Sequence, residues 1–458
     1  MTASSRIDAS RRLPPGPSGR GLRNLVARVR DYAGFLQGLA FEYGGIVRFR
    51  ILSKQIYVVS DPALLHEVFV SKRASFEKGP AYKKTNFLTG PTSLTADGDD
   101  HRRRRKLIQP SFHKRALAGY AEIMVEEAEA LQRRWTDGGT VDLADEMQRV
   151  TLAIAVRAFF GRDTDVDPEL IKETLGAILW GMKLSQLPGS DLLNRLPLPQ
   201  NRRARQTYDR LDEQILAVIG KARREGDTRT DLISLLVAAT DEGDGALGDA
   251  EIRDETYVII FAGHETATAA LTWVFHYLSR NQVALDRVRQ EIDEVLGGRG
   301  PTLEDYDRLT YLRAVFSETL RLSPPIYIVG RQAIEDCTIG DYFVPAGTTV
   351  QPCIRVPQVD GRNFPDPDRF DPERWLRDDG RERSRYAYLP FGVGSRTCAG
   401  EAFARVEAAL VLASLLQRWD FEPLSKAAPR VDSFASYRLK DGLSVRLSVR
   451  RSAASAAG

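Results

Sequence analysis

The stretch Phe391-Gly392-Val393-Gly394-Ser395-Arg396-Thr397-Cys398-Ala399-Gly400 constrains this chain more than any other. It sets one cysteine in a glycine-punctuated turn, and an apolar helical pattern starts directly after it. The glycines let the backbone turn tightly and let a flat group approach closely. The positive end of the following helix points at the sulfur and favours thiolate over thiol. A cysteine prepared in this way suits ligation of iron in a flat macrocycle such as haem. The competing reading of a lone cysteine, a buried thiol in a turn, leaves the flanking pattern unexplained.

Bulk properties set wide bounds. The 458 residues, 43% of them hydrophobic, hold a core large enough to enclose a cofactor. A net charge of +3 is too near balance for a nucleic-acid binder, although a local basic cluster can still dock an acidic partner. Cys337, Cys353 and Cys398 are widely spaced, and no Cys/His cluster forms a zinc pattern. A reducing cytoplasm fits this cysteine usage. The first twenty residues lack an apolar signal core, and no later stretch approaches the roughly eighteen apolar residues that span a bilayer, so the chain is expected to be soluble, with no transmembrane segment.

Helical periodicity dominates, with β-rich runs near residues 46–60, 338–351 and 443–449. The expected fold class is mainly α with a small β region. Residues 1–12 and 451–458 are small, polar or basic and read as disordered ends, leaving a single domain over 13–450. Residues 186–201 carry Pro188, Pro197 and Pro199 among leucines, and read as an apolar loop between two helices. Asp249 is placed to N-cap a helix running through Ala262-Gly263-His264-Glu265-Thr266 toward Leu278. Thr266 can turn its hydroxyl onto the carbonyl of Ala262, and Gly263 weakens the same turn. That segment is built to open a groove in an apolar helix.

The spacing F-x-x-G-x-R-x-C-x-G around Cys398 resembles the haem-binding loop of the cytochrome P450 superfamily. Further elements match in order: Ala262 to Thr266, Glu318-Thr319-Leu320-Arg321, Phe370 to Trp375 and the helix His101-Arg102-Arg103-Arg104-Arg105-Lys106. The resemblance implies a P450 fold, with haem b held between the long central helix and the cysteine-loop helix. It implies Cys398 as the axial thiolate, Thr266 as holder of dioxygen and water, and Glu265 as proton relay. A second Thr or Ser often follows Thr266 in the family; Ala267 stands here, and Thr268 is a candidate to compensate.

By the same resemblance His101 and Arg105 (histidine replacing the family's tryptophan), Arg331 and Arg396 meet the haem propionates. Ala262, Phe391 and Gly400 contact the cofactor, Phe391 by packing against the sulfur. Glu318, Arg321 and Arg374 form a buried structural triad. Phe87, Leu88, Ile326, Ile328, Val329 and Phe434 line the substrate pocket, lidded by residues 186–201. Arg102, Arg103, Arg104 and Lys106 read either as a solvated basic face or as a docking patch for an acidic electron donor.

The implied function is insertion of one oxygen atom from O2 into an apolar molecule of terpene, fatty acid, steroid or polyketide class. The length leaves no room for a fused flavin reductase, so electrons are expected from a separate ferredoxin or flavodoxin and its NAD(P)H reductase, serving a monomer. Leu13-Pro14-Pro15-Gly16-Pro17 resembles the hinge after the membrane anchor of microsomal relatives and reads here as a rigid lead-in. Two alternatives stay open: a haem-thiolate peroxygenase or isomerase, and a catalytically silent haem or ligand-binding module.

Overall fold

The computed structural model describes residues 12–18, 21–52, 54–83, 90–185, 199–226, 230–241, 245–377 and 383–450. Among these, the long helices are α1 (Leu22–Tyr43), α2 (Gly98–Ile108), α3 (Lys114–Gln132), α4 (Leu143–Phe160), α5 (Pro168–Ser185), α6 (Pro199–Glu225), α7 (Asp249–Leu278), α8 (Gln282–Leu296), α9 (Thr310–Leu322) and α10 (Glu401–Arg418). Strands are short: β1 (Ile46–Ile51), β2 (Lys54–Val59), β3 (Phe76–Lys78), β4 (Thr140–Asp142), β5 (Arg331–Ala333), β6 (Cys337–Ile339), β7 (Tyr342–Val344), β8 (Thr349–Pro352), β9 (Trp419–Pro423), β10 (Val431–Asp432), β11 (Arg438–Leu439) and β12 (Ser444–Val449). One sheet runs β1-β2-β8-β5-β3 and a second β9-β12-β4, while β10-β11 and β6-β7 are hairpins. The architecture is mainly α with a small β region.

The lead-in packs along β1 of the first sheet and along the β6-β7 hairpin, since Arg48 N–H donates to the carbonyl of Pro15 and Phe343 N–H to that of Arg12. Of the loop expected over 186–201, residues 186–198 lie outside the described residues, and 199–201 open α6. Residues 1–11 and 451–458 are likewise not described.

α7 organises the helical layer, packing against α4, α6, α9 and α10. Its 30 residues include a window long and apolar enough to cross a membrane, at odds with the sequence expectation, but half of that window is buried and it forms the centre of the fold. Gly248, not Asp249, caps it: Gly248 N–H donates to Glu251 Oε2, while Asp249 begins the helix and pairs with Arg223. Ile252, Ile260, Leu271, Val274 and Leu278 are buried in the main core.

The back of α7 is pinned to α4 by a polar knot. Thr151 spends its single hydroxyl proton on the carbonyl of Met147 and so accepts from His264 Nδ1 at 2.9 Å and Thr268 Oγ1 at 2.8 Å. Thr268 therefore faces α4 and does not take the place of the missing hydroxyl at Ala267. Burial pushes the His264 imidazole down to about 4.

An unfolded histidine titrates near 6.5, so between that pH and about 4 the unfolded chain binds the extra proton. Stability contributed by neutral His264 is thus present above the unfolded value and is lost as pH falls through this window. His264→Asn keeps a donor for Thr151 and removes the titration. Urea unfolding at stepped pH should show a flatter stability profile for the variant below pH ~6.5, with a difference of up to roughly 3 kcal/mol accumulated by pH ~4. Parallel profiles would mean that His264 is not buried as a neutral ring.

Candidate haem site

The loop before α10 is built on two left-handed glycines, Gly392 at φ 73° and Gly394 at φ 74°. A Cβ on Gly394 would stand 3.0 Å from the carbonyl oxygen of Phe69, so side chains are excluded there by both torsion and space. Cys398 N–H donates to the carbonyl of Phe391, closing the loop, and Thr397 Oγ1 donates to that of Gly394. The Phe391 ring lies under the Arg405 guanidinium, 4.8 Å from its centroid. Cys398 is open to a deep cavity. Burial pushes its thiol up, opposed by the Gly400 N–H and by Arg105. A coordinated metal ion deprotonates such a thiol outright.

The cavity measures about 1630 Å³, and Lys78, His101, Arg105, Arg331 and Arg396 line it together with Cys398. α2 delivers His101 and Arg105 from adjacent turns, β5 delivers Arg331 and the cysteine loop delivers Arg396. Burial and the neighbouring cations push His101 down to about 4, so it is neutral at physiological pH. Burial lowers Arg105 and Arg331, and it lowers Arg396 to about 10. The carboxylate that acts on this cluster is Asp97, which pairs with Arg396 at 2.8 Å.

The basic run on α2 is divided. Arg103 and Arg104 turn away from the cavity and tie α2 to α7 through Glu251, and Arg104 also reaches the fully buried Glu255 at 3.2 Å. Of the four residues read as a solvated face or docking patch, only Arg102 and Lys106 are exposed. The alternation follows helix geometry, since residues one apart project 100° away from each other.

On α7, Ala262 and Gly263 are exposed in the middle of a core helix, and a Cβ on Gly263 would meet nothing within 4 Å. Thr266 Oγ1 donates to the carbonyl of Ala262 at 2.6 Å. Glu265 points to the β10-β11 hairpin, where its Oε1 accepts from Ser436 Oγ at 2.8 Å and lies 3.3 Å from Arg438 Nη1. Phe434 sits on that same hairpin. Ile326, Ile328 and Val329 are half-buried; Ile328 bridges to Cys353 and Val329 N–H donates to the carbonyl of Pro352. The structure does not gather these apolar residues, Ala262 or Thr266 into the cavity that contains Cys398. Phe87 and Leu88 lie outside the described residues.

Glu318, Arg321 and Arg374 meet away from solvent. Glu318 and Arg321 are fully buried and paired at 2.8 Å, and Arg374 Nε reaches Glu318 at 3.0 Å. Glu318 also accepts from Trp375 Nε1 and Asp371 N–H, while Arg321 donates to the carbonyls of Gln358, Pro367 and Arg369. The bonds the pair does not spend on itself tie it to residues 358–375, ahead of the cysteine loop.

The donor set fits haem: a sulfur at the floor, three flanking arginines and a buried lysine for two propionates, and volume for a macrocycle. The cytochrome P450 family model matches residues 14–440. The chain belongs to the cytochrome P450 family. It is 38% identical to cyclooctatin synthase of Streptomyces melanosporofaciens, over 85% of this chain and 86% of that one. Cyclooctat-9-en-7-ol 5-monooxygenase of the same organism is 35% identical, over 88% of each chain. Pentalenene oxygenase of Streptomyces avermitilis is 34% identical, over 89% of this chain and 91% of its own. The crystal structure of the cytochrome P450DA heme domain superposes with a TM-score of 0.85 at 26% identity, over 96% of this chain and 98% of that one. This P450 is a haem-thiolate monooxygenase, with iron held by a cysteine thiolate.

Sequence reasoning missed Lys78, the acid Asp97, the Glu251 and Glu255 anchors of α2, and the Ser436 and Arg438 partners of Glu265. None has a motif of its own; each acquires its role from a partner distant in sequence. For the buried triad, Glu318→Leu leaves Arg321 charged and unpaired at zero exposure. Chemical denaturation should show a loss of about 3–5 kcal/mol. A loss below about 1 kcal/mol would mark the pair as an ordinary solvated bridge.

Proposed function

We propose that this P450 oxidises a cyclic terpene, with Cys398 as the residue that would hold the haem iron and Thr266 and Glu265 managing protons. The observation that carries the substrate class is that three terpene-modifying relatives, each aligned over at least 85% of the chain, are named as a cyclooctatin synthase, a cyclooctat-9-en-7-ol monooxygenase and a pentalenene oxygenase. The apolar residues Ile326, Ile328, Val329 and Phe434, with Phe87 and Leu88, suit the same kind of molecule: binding rests on area removed from water rather than on charged contacts. Terpene tailoring also places the enzyme in secondary metabolism.

Bound haem supplies the redox chemistry that inserts one atom of O2 into a C–H or C=C bond. The chain's part is placement and proton control. Arg105, Arg331 and Arg396 would compensate the propionate charge, neutral His101 would offer them a hydrogen bond, and Phe391 and Gly400 would shape the surroundings of the sulfur. Ala262 and Gly263 leave room along α7. Thr266 offers a hydroxyl whose proton rests on the Ala262 carbonyl, and Glu265 is kept in place by Ser436 and Arg438 as the acid nearest to it in sequence. An acid and an alcohol at the edge of a dry groove deliver protons without admitting bulk water.

The folded unit we assign spans residues 13–450, acting as a monomer in the cytoplasm; three unpaired cysteines suit that compartment. Electrons come from a separate ferredoxin or flavodoxin with its NAD(P)H reductase, docking where Arg102 and Lys106 remain exposed.

Two outcomes are expected. Titrating the ferric protein with cyclic terpene hydrocarbons and alcohols should displace water from iron and give a low-to-high-spin shift, while fatty acids, steroids and macrolides give none; a shift confined to one of those classes would replace the terpene reading. Thr266→Ala should lower oxygenated product per NAD(P)H consumed by about tenfold or more, with hydrogen peroxide taking up the difference. Unchanged product yield would instead favour a peroxygenase or isomerase.

A further inference from the structure

α10 starts at Glu401, just beyond Cys398, and its first turn sets Glu401 and Arg405 on one face. Arg405 Nε donates to Glu401 Oε1 at 2.9 Å. A bridge of this kind on a helix surface ordinarily carries little weight. Here both partners bear on the cysteine. Glu401 is a carboxylate whose field opposes the Cys398 thiolate. Arg405 lines the cavity that contains Cys398, and its guanidinium carbon stands 4.8 Å from the centroid of the Phe391 ring, within cation–π range. The carbonyl of that same Phe391 accepts the Cys398 N–H, so the ring and the sulfur are carried by the two ends of one closed loop.

The guanidinium is also fixed from behind. Tyr388 spends its hydroxyl proton on the carbonyl of Ser317 at 3.0 Å and so presents lone pairs to Arg405. Tyr388 in turn packs on Trp375, 4.5 Å between ring centroids, and Trp375 donates to Glu318 of the buried triad. We propose that Arg405 is a positioning residue that tunes the haem iron through the ring beside its sulfur: the guanidinium cancels Glu401 and lays its charge on Phe391, so that the sulfur gives up less electron density and the iron is easier to reduce. This rests on the reading of Cys398 as the iron ligand and of Phe391 as its aromatic neighbour. The Arg405 side chain is 26% exposed, so water screens part of its field and the effect is modest.

The test uses full-length holoenzyme, with the reduced-to-oxidised ratio of the iron read optically at the midpoint potential of the parent. Arg405→Met keeps a stem against the ring but removes the charge and leaves Glu401 bare; it should lower that ratio by about two- to threefold, the scale of one partly screened unit charge. Arg405→Gln serves as the neutral variant should methionine not accumulate. Glu401→Gln breaks the same bridge but leaves the cation on the ring, so it should raise the ratio by a similar factor. In a Phe391→Leu background the Arg405→Met change should shrink to about half or less. Parent-like ratios in both single variants, or a change of the same sign in both, would overturn the proposal, since a merely structural bridge gives one of those results. An undiminished change in the Phe391→Leu background would overturn it too, marking a charge that acts without the ring. If the parent itself lacks the thiolate-type carbon monoxide spectrum, the haem reading fails and the proposal falls with it; a parent that shows the spectrum while the ratios do not move rejects the role of Arg405 alone.

Discussion

Positive charge held out of water around Cys398 is the constraint on which the rest of the architecture depends. Lys78, Arg105 and Arg331 converge on one cavity from a strand, a helix and a second strand, and Asp97 is already shared with Arg396. Such an arrangement is costly unless an anion completes it. The parts that create it are otherwise unremarkable. Pairing of β3 with β5 brings residues 78 and 331 together across more than half the chain, and the tie of α2 to α7 through Glu251 and Glu255 aims His101 and Arg105 inward.

The same logic of opposing faces governs α7. Its apolar residues join it to the main core, while Ala262 and Gly263 leave one stretch uncovered. His264 and Thr268 hold the opposite side to α4 through Thr151, so the helix can tolerate the hydroxyl of Thr266 turned onto its own ladder. Glu265 leans the other way, onto the β10-β11 hairpin. A single helix thereby touches the core, the groove and a hairpin bearing the pocket candidate Phe434.

Much of this was legible in the sequence because the informative residues lie close together along the chain. The cysteine loop needs its glycines within ten residues, and both Glu318-x-x-Arg321 and His101-x-x-x-Arg105 share a helix face by spacing alone. The β-rich runs likewise fall where strands form. What escaped was long-range. Lys78 looks like any surface lysine until β3 is paired, and the run of arginines on α2 does not reveal that two of them serve α7. Asp249 resembles an N-cap, yet Gly248 and Glu251 do that work, since a backbone donor can meet a carboxylate three residues on without a side chain of its own. The apolar pocket is the least legible part, because half-buried isoleucine, valine and phenylalanine follow the same pattern whether they line a site or fill a core.

The account stands or falls on the sulfur. The most direct measurement is the carbon monoxide difference spectrum of the reduced protein, recorded for the parent and for Cys398→Ser at matched haem content. The parent should show the red-shifted Soret band of a thiolate-ligated haem, and the variant should lose it while the cationic cradle still retains the macrocycle. A thiolate-type band that survives in Cys398→Ser would contradict the assignment, because neither Cys337 nor Cys353 lines the cavity.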